Sequence, residues 1–176
     1  MPLYRYKNFI PKIPNSCFVA PSGDVIGRVF LGEHVGIWFR TVVRGDVNEI
    51  RIGENTNVQD LSMLHVTEKQ GLLIGSNVSI GHSVTLHSCI IGNGCLIGMG
   101  AIILDGSEIG EGSLVAAGSV VTPNKKFPAK SFIKGSPAKV DRPLTESEYQ
   151  TYSNHYKSYV VYKNEFKDPT LFELIN

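Results

Sequence analysis

A six-residue beat of aliphatic side chains constrains this chain more than any other feature. Val25, Leu31, Ile37, Val43, Ile52, Val58, Leu64, Ile74, Ile80, Leu86, Ile91, Ile97, Ile103, Ile109, Val115 and Val121 follow one another at steps of six. The exceptions are a step of nine after Val43, ten after Leu64 and five after Leu86. Small or apolar residues recur four places after the leads, as at Val35, Thr41, Val47, Thr56, Ser62, Val78, Val84, Cys95, Ala101, Ser107, Ser113 and Ser119. Glycine often follows a lead directly, as at Gly53, Gly75 and Gly92. A helix needs apolar residues at a period of 3.6 and an alternating strand needs two, so neither fits this beat. A short strand with a tight turn does fit, and stacking such units buries a column that no single unit buries alone.

This pattern resembles the left-handed parallel β-helix of hexapeptide repeats, in which three hexads make one triangular coil. Counting hexads back from Val121 sorts the leads onto three faces. Leu31, Ile52, Ile74, Ile91 and Ile109 lead face a; Ile37, Val58, Ile80, Ile97 and Val115 lead face b. Val25, Val43, Leu64, Leu86, Ile103 and Val121 lead face c. The long steps become corner insertions, expected around 49–51 and 66–73. The 176 residues form one domain: a proline-bearing lead-in at 1–22, the β-helix and its closing segment at 23–140, and a C-terminal α-helix and tail at 141–176. Thr145 and Glu148 have the spacing of a capping box. Tyr149, Tyr152, Tyr156, Tyr159 and Val160 then form one apolar face, expected to pack along the β-helix.

The face addresses decide which polar residues can meet. His65 follows Leu64 and His87 follows Leu86, so both lie on face c in adjacent coils. Strand spacing of about 4.8 Å lets two such imidazoles grip one ion at about 2.1 Å. Arg44 follows Val43 and continues that column one coil earlier. His82 and Asp60 stand two places after Ile80 and Val58, on face b. A third ligand from face b reaches the face c pair if the two faces meet between subunits, and such a heterologous contact closes into a ring. A triangular prism favours a homotrimer. One register then sets His82 against His65 and His87, and Asp60 against Arg44 as an inter-subunit salt bridge. His34 and His155 have no such partners.

The net charge is +1, from 17 basic and 16 acidic residues without blocks, which argues against nucleic acid or an anionic membrane as partner. No apolar run spans a bilayer and the start lacks a signal-peptide core, so a cytoplasmic or equivalent reducing location is expected. Of the three cysteines, Cys95 falls at a buried small position, Cys89 lies off it near a face c turn, and Cys17 is in the lead-in. None has metal-site spacing, and free thiols are expected.

Arg-Gly-Asp at 44–46, Asn-Val-Gln-Asp at 57–60, His65, and His82 followed by His87 together resemble the γ-class carbonic anhydrase family over most of the chain. The resemblance implies reversible hydration of CO2 to bicarbonate by metal-activated hydroxide at a trimer interface. It implies His65, His82 and His87 as ligands to one metal per chain, zinc or else iron(II) or cobalt. It also implies Gln59 as the residue orienting water, Asp46 as a supporting carboxylate, and Arg44 with Asp60 at the subunit interface. The chain departs from the founding enzymes at Val47, where they carry Glu, and in a short loop at 66–71. Glu68 is the candidate for proton transfer there, and slow proton export is implied. A hexapeptide-repeat acyltransferase using acyl-CoA is the rival reading, since Gly-Ser-Pro-Ala-Lys at 135–139 resembles the closing segment of those enzymes. It leaves the histidine column unexplained. A metal-bearing trimer of weak activity is the third.

Overall fold

All sixteen aliphatic leads are at most 7% exposed, and they line one continuous core. A computed structural model describes residues 3–173 and 175. Short strands stack in parallel with each lead opposite the equivalent lead of the next coil, as in Val43, Leu64, Leu86, Ile103 and Val121 on face c. Face b forms an eight-stranded sheet. Faces a and c join into an eleven-stranded one, because Asp24–Leu31 and Val42–Ile52 each run through the corner between them. The fold is the left-handed parallel β-helix of hexapeptide repeats.

Two devices hold the corners. Buried hydroxyls at the small positions donate to carbonyls of the following coil: Thr41 to Gln59, Thr56 to Gly75 and Ser62 to Gly81, at 2.8–3.1 Å. This satisfies corner carbonyls that the strand ladders leave over. The glycine after a lead is required by crowding: a Cβ on Gly53 would sit 2.5 Å from the Gly75 carbonyl carbon.

Several boundaries differ from the sequence expectation. The first insertion lies at 46–49 and not at 49–51, because Gly27 pairs with Gly45 and Val29 with Ile50, so the added residues bulge out opposite Arg28. Val47 is consequently 37% exposed and leaves the small-residue column. The second insertion is narrower than 66–73, since Val66 and Leu72 are buried and Leu72–Ile74 is already strand. Buried Ser88 seals that loop, accepting from the Thr67 amide at 2.6 Å and donating to the Gln70 carbonyl at 2.8 Å. The stack also continues past Val121: Phe127 pairs with Ile109, and Ile133, fully buried, pairs with Val115. Ser131–Gly135 and Ala138–Pro143 then close the end as an antiparallel pair. The lead-in contributes rungs as well, at Leu3–Tyr4 beside Val25–Ile26 and Phe18–Val19 beside Gly36–Ile37.

The C-terminal segment is two helices, α1 (Glu146–Ser153) and α2 (Tyr156–Lys167), where the sequence predicts one. The capping box at Thr145 and Glu148 is present. Asn154 ends α1 by bonding back from Nδ2 to the Gln150 carbonyl at 2.7 Å, which competes with continued helix. Tyr149, Tyr152, Tyr156, Tyr159 and Val160 are each half-buried. Helix α2 lies on the first coils of face b, where Phe18, Trp38, Phe39, Tyr159 and Phe166 make an aromatic cluster. All three cysteines are free and buried, and Cys17 donates to the Gly32 carbonyl at 3.1 Å. Burial pushes the Cys95 thiol up to about 12, so it is no nucleophile at neutral pH.

Candidate metal centre

The parallel ladder of face c sets Arg44 beside His65 and His65 beside His87. The two imidazoles face each other, with His65 Nδ1 and His87 Nε2 3.1 Å apart. Each outer nitrogen meets a carboxylate. His65 Nε2 lies 3.0 Å from Asp46 Oδ1, and His87 Nδ1 is hydrogen-bonded to Asp105. The bulge at 46–49 is what lifts Asp46 over the column, and Arg44 pairs with its second oxygen.

These contacts fix the chemistry of the pair. Burial favours a neutral Asp46, but the Val47 amide, His65 and Arg44 outweigh it and hold the carboxyl below its usual range. Asp46 is therefore an acceptor and takes the N–H of His65. Asp105 likewise accepts from His87. With both ring protons drawn outward, the inner nitrogens present two lone pairs to each other at 3.1 Å. With an inner N–H the same spacing is an N–H···N hydrogen bond; with both protons outward it suits a cation between the rings. Two nitrogens so spaced reach a common ion at about 2.1 Å with an angle of roughly 95°. The donor set therefore fits a divalent metal, with carboxylates orienting the ligands from behind.

His82 and Asp60 form a separate pair on face b, with His82 Nδ1 2.9 Å from Asp60 Oδ2. The Asp60 contact leaves His82 Nε2 as the nitrogen free to ligate. Among the described residues no group of three metal-ligating side chains occurs within one chain. Two of the three expected ligands meet and the third stands on another face. Within the chain, Arg44 pairs with Asp46, and Asp60 with His82. Gln59 sits on face b beside Asp60, 3% exposed, with Nε2 donating to Asn57 Oδ1 at 3.0 Å. Glu68 lines a cleft of about 450 Å³ that Asp105 also lines.

Asp105 was not among the sequence candidates. It lies two places after Ile103, one residue past Leu104, which holds the position continuing the His87 column, so the repeat address alone does not mark it. His155, expected to be isolated, is not: its Nδ1 is 3.1 Å from Ser79 Oγ and its ring lies against Tyr159. The break between α1 and α2 allows that reach, and no repeat pattern forecasts it.

Known proteins resemble this chain in sequence and in fold. A family profile described as bacterial transferase hexapeptide (six repeats) matches residues 88–123. Protein YrdA of Escherichia coli is 42% identical over 173 residues, covering 94% of each chain. Gamma carbonic anhydrase 2, mitochondrial, of Arabidopsis thaliana is 40% identical over 156 residues, which cover 85% of this chain and 56% of that one. The chain thus spans just over half of that relative. A crystal structure of a Bacillus cereus protein described as an acetyltransferase, the product of its BC4754 gene, superposes with a TM-score of 0.92. It is 44% identical, with coverage of 94% of this chain and 96% of that one. No helix among the described residues is long and apolar enough to cross a membrane. With its repeat, its histidine column and a full-length relative at 42% identity, the chain belongs to the γ-class carbonic-anhydrase-like family of hexapeptide-repeat proteins.

Proposed function

We propose that this protein is a γ-carbonic-anhydrase-like metalloenzyme that hydrates CO2 reversibly to bicarbonate. It works as a homotrimer with one divalent ion at each interface, held by His65 and His87 of one chain and His82 of the next. The observation that carries this reading is the His65–His87 pair, whose inner nitrogens face each other at 3.1 Å while a carboxylate meets each outer nitrogen. Zinc suits three imidazoles, and iron(II) or cobalt suits them as well. The bound ion supplies the Lewis acidity that makes water a nucleophile near neutral pH.

The chain's own residues do the rest. Asp46, Asp105 and Asp60 fix the ring orientation and tautomer of His65, His87 and His82. Gln59 offers an amide beside the Asp60–His82 pair to hydrogen-bond the attacking water. Arg44 of one subunit reaches Asp60 of the next in addition to its own Asp46. Glu68, on the cleft shared with Asp105, passes protons to solvent, slowly because its loop is short. The buried free thiols suit the cytoplasm or another reducing compartment.

The second reading, an acetyltransferase, follows the name of the Bacillus cereus neighbour, and fold alone does not choose between the two. Stopped-flow CO2 hydration on protein loaded with zinc and with iron(II) is the test. Hydration that disappears in His87→Ala is the expected result. Acetyl transfer from acetyl-CoA with no hydration in either metal form would overturn the proposal in favour of the second reading. A filled site inert in both assays would leave a metal-bearing scaffold.

A further inference from the structure

Gln59 is one end of a buried polar chain that leads away from the candidate site. Its Nε2 donates to Asn57 Oδ1 at 3.0 Å, and Asn57 Nδ2 donates to Ser79 Oγ at 3.0 Å. Ser79 Oγ lies 3.1 Å from His155 Nδ1, at the break between α1 and α2. Gln59, Asn57 and Ser79 are 3%, 2% and 1% exposed, so water does not stand in for a partner among them, while His155 at the outer end is exposed.

A chain of two amides and a hydroxyl can run unbroken in two directions, and a protonated His155 that only added a second bond to the Ser79 oxygen would leave the direction unchanged. In the first, donors run outward: Gln59 to Asn57, Asn57 to Ser79, and the Ser79 hydroxyl to a lone pair on His155 Nδ1. In the second, His155 Nδ1–H donates to Ser79, Ser79 to the Asn57 carbonyl, and Asn57 to the Gln59 carbonyl. The first direction leaves the Gln59 Oε1 acceptor as the free end, and the second leaves its NH2 donors. The structure holds the first. Asn57 Nδ2 also approaches the Val78 carbonyl at 3.5 Å, a group that only accepts. Burial lowers the His155 pKa from its ordinary 6.5, which keeps the Nδ1 lone pair available at neutral pH. The titratable neighbours of His155 are Tyr159, against its ring, and, beyond that phenol, Asp60, whose charge acts on Tyr159. The ladder sets Gln59 and Asp60 alongside Gly81 and His82.

We infer that His155 is a positioning residue: it sets the direction of this chain, and thereby whether Gln59 offers an acceptor or a donor to the ligand of the neighbouring site. Neutral His155 presents the carbonyl, which accepts from a water; protonated His155 reverses the chain and presents the amide NH2, which donates to an oxyanion. The role of Gln59 rests on the function proposed above, while the coupling of His155 to Gln59 does not.

The test is a titration of the intact protein labelled with 15N-glutamine, whose three side-chain amides are Gln59, Gln70 and Gln150. From about pH 8 to about pH 5 the Gln59 NH2 resonances should move with the midpoint of the His155 ring itself. In Ser79→Ala, His155 should still titrate while Gln59 no longer follows. In His155→Phe, which keeps an aromatic ring against Tyr159, the Gln59 shift should be absent at every pH. Resonances that ignore His155 in the unaltered protein, or that still follow it in Ser79→Ala, would overturn the inference. The spectra require no turnover, so a protein inert toward CO2 would remove the proposed function and leave this result to be read on its own. If hydration is observed, the low-pH limb of its profile should change in His155→Phe with metal content unchanged.

Discussion

Replacing Leu86 by alanine is expected to destabilise the protein by about 2–5 kcal/mol. Leu86 is fully buried and stacks between Leu64 and Ile103 on face c. Each coil touches only the coils above and below it, so truncation leaves a cavity that the column has little freedom to close. The effect extends to chemistry, because His87 is the next residue and takes its orientation from this strand. Met63→Ala, one strand over on the same ladder but 40% exposed, is the control. It should change stability by no more than about 0.5 kcal/mol. Urea unfolding of the two variants checks the contrast. Equal losses would mean that the aliphatic column is not the core that holds the coil.

Removing the carboxylate behind a histidine ligand should weaken the metal site without harming the fold. Asp105→Ala is expected to lower metal affinity about 10–100-fold. The carboxylate now holds the proton on His87 Nδ1, so Nε2 keeps its lone pair toward His65. Without it, either nitrogen of His87 can carry the proton and the ring is free to turn. The Asp105 side chain is 48% exposed, so metal-free stability should change by no more than about 0.5 kcal/mol. Competition with a chromophoric chelator measures the first quantity and urea unfolding without metal the second. Unchanged affinity would remove Asp105 from the site, and a large loss of metal-free stability would make its role structural.

Much of the fold was legible in the sequence because one constraint repeats. Every coil must bury an aliphatic residue at the same address, so the period of six reveals faces, column order and the His65–His87 stack together. The ends were less legible. Phe127 and Ile133 keep the register, but Phe127 is aromatic and half-buried, so it fell outside the aliphatic rule that marks the other leads. The bulge at 46–49 was misplaced because the beat reports only that three residues are added, and the pairing of Gly27 with Gly45 decides where they leave the ladder.

The site divides along the same line. His65, His87 and Arg44 share a repeat address, so their neighbourhood follows from counting. The contact of Asp46 with His65 depends on the bulge, and that of His155 with Ser79 depends on how α1 and α2 break across face b. Such contacts come from tertiary packing and carry no periodic signal. Asp105 belongs with these: Leu104 holds the position that continues the His87 column, and Asp105 matters only once the His87 ring is seen to turn toward it.

The central claim is a metal shared between subunits, and metal content measured across the size-exclusion peak tests it most directly. Protein purified anaerobically without chelator should elute as a trimer with about one metal per chain. His82→Ala should lose the metal, as should a chain carrying both His65→Ala and His87→Ala. Mixed trimers of the two variants should regain part of it, because the intact pair of one chain then meets the intact His82 of the other. A monomer that holds a full complement of metal, or a His82→Ala protein that keeps it, would contradict the shared site.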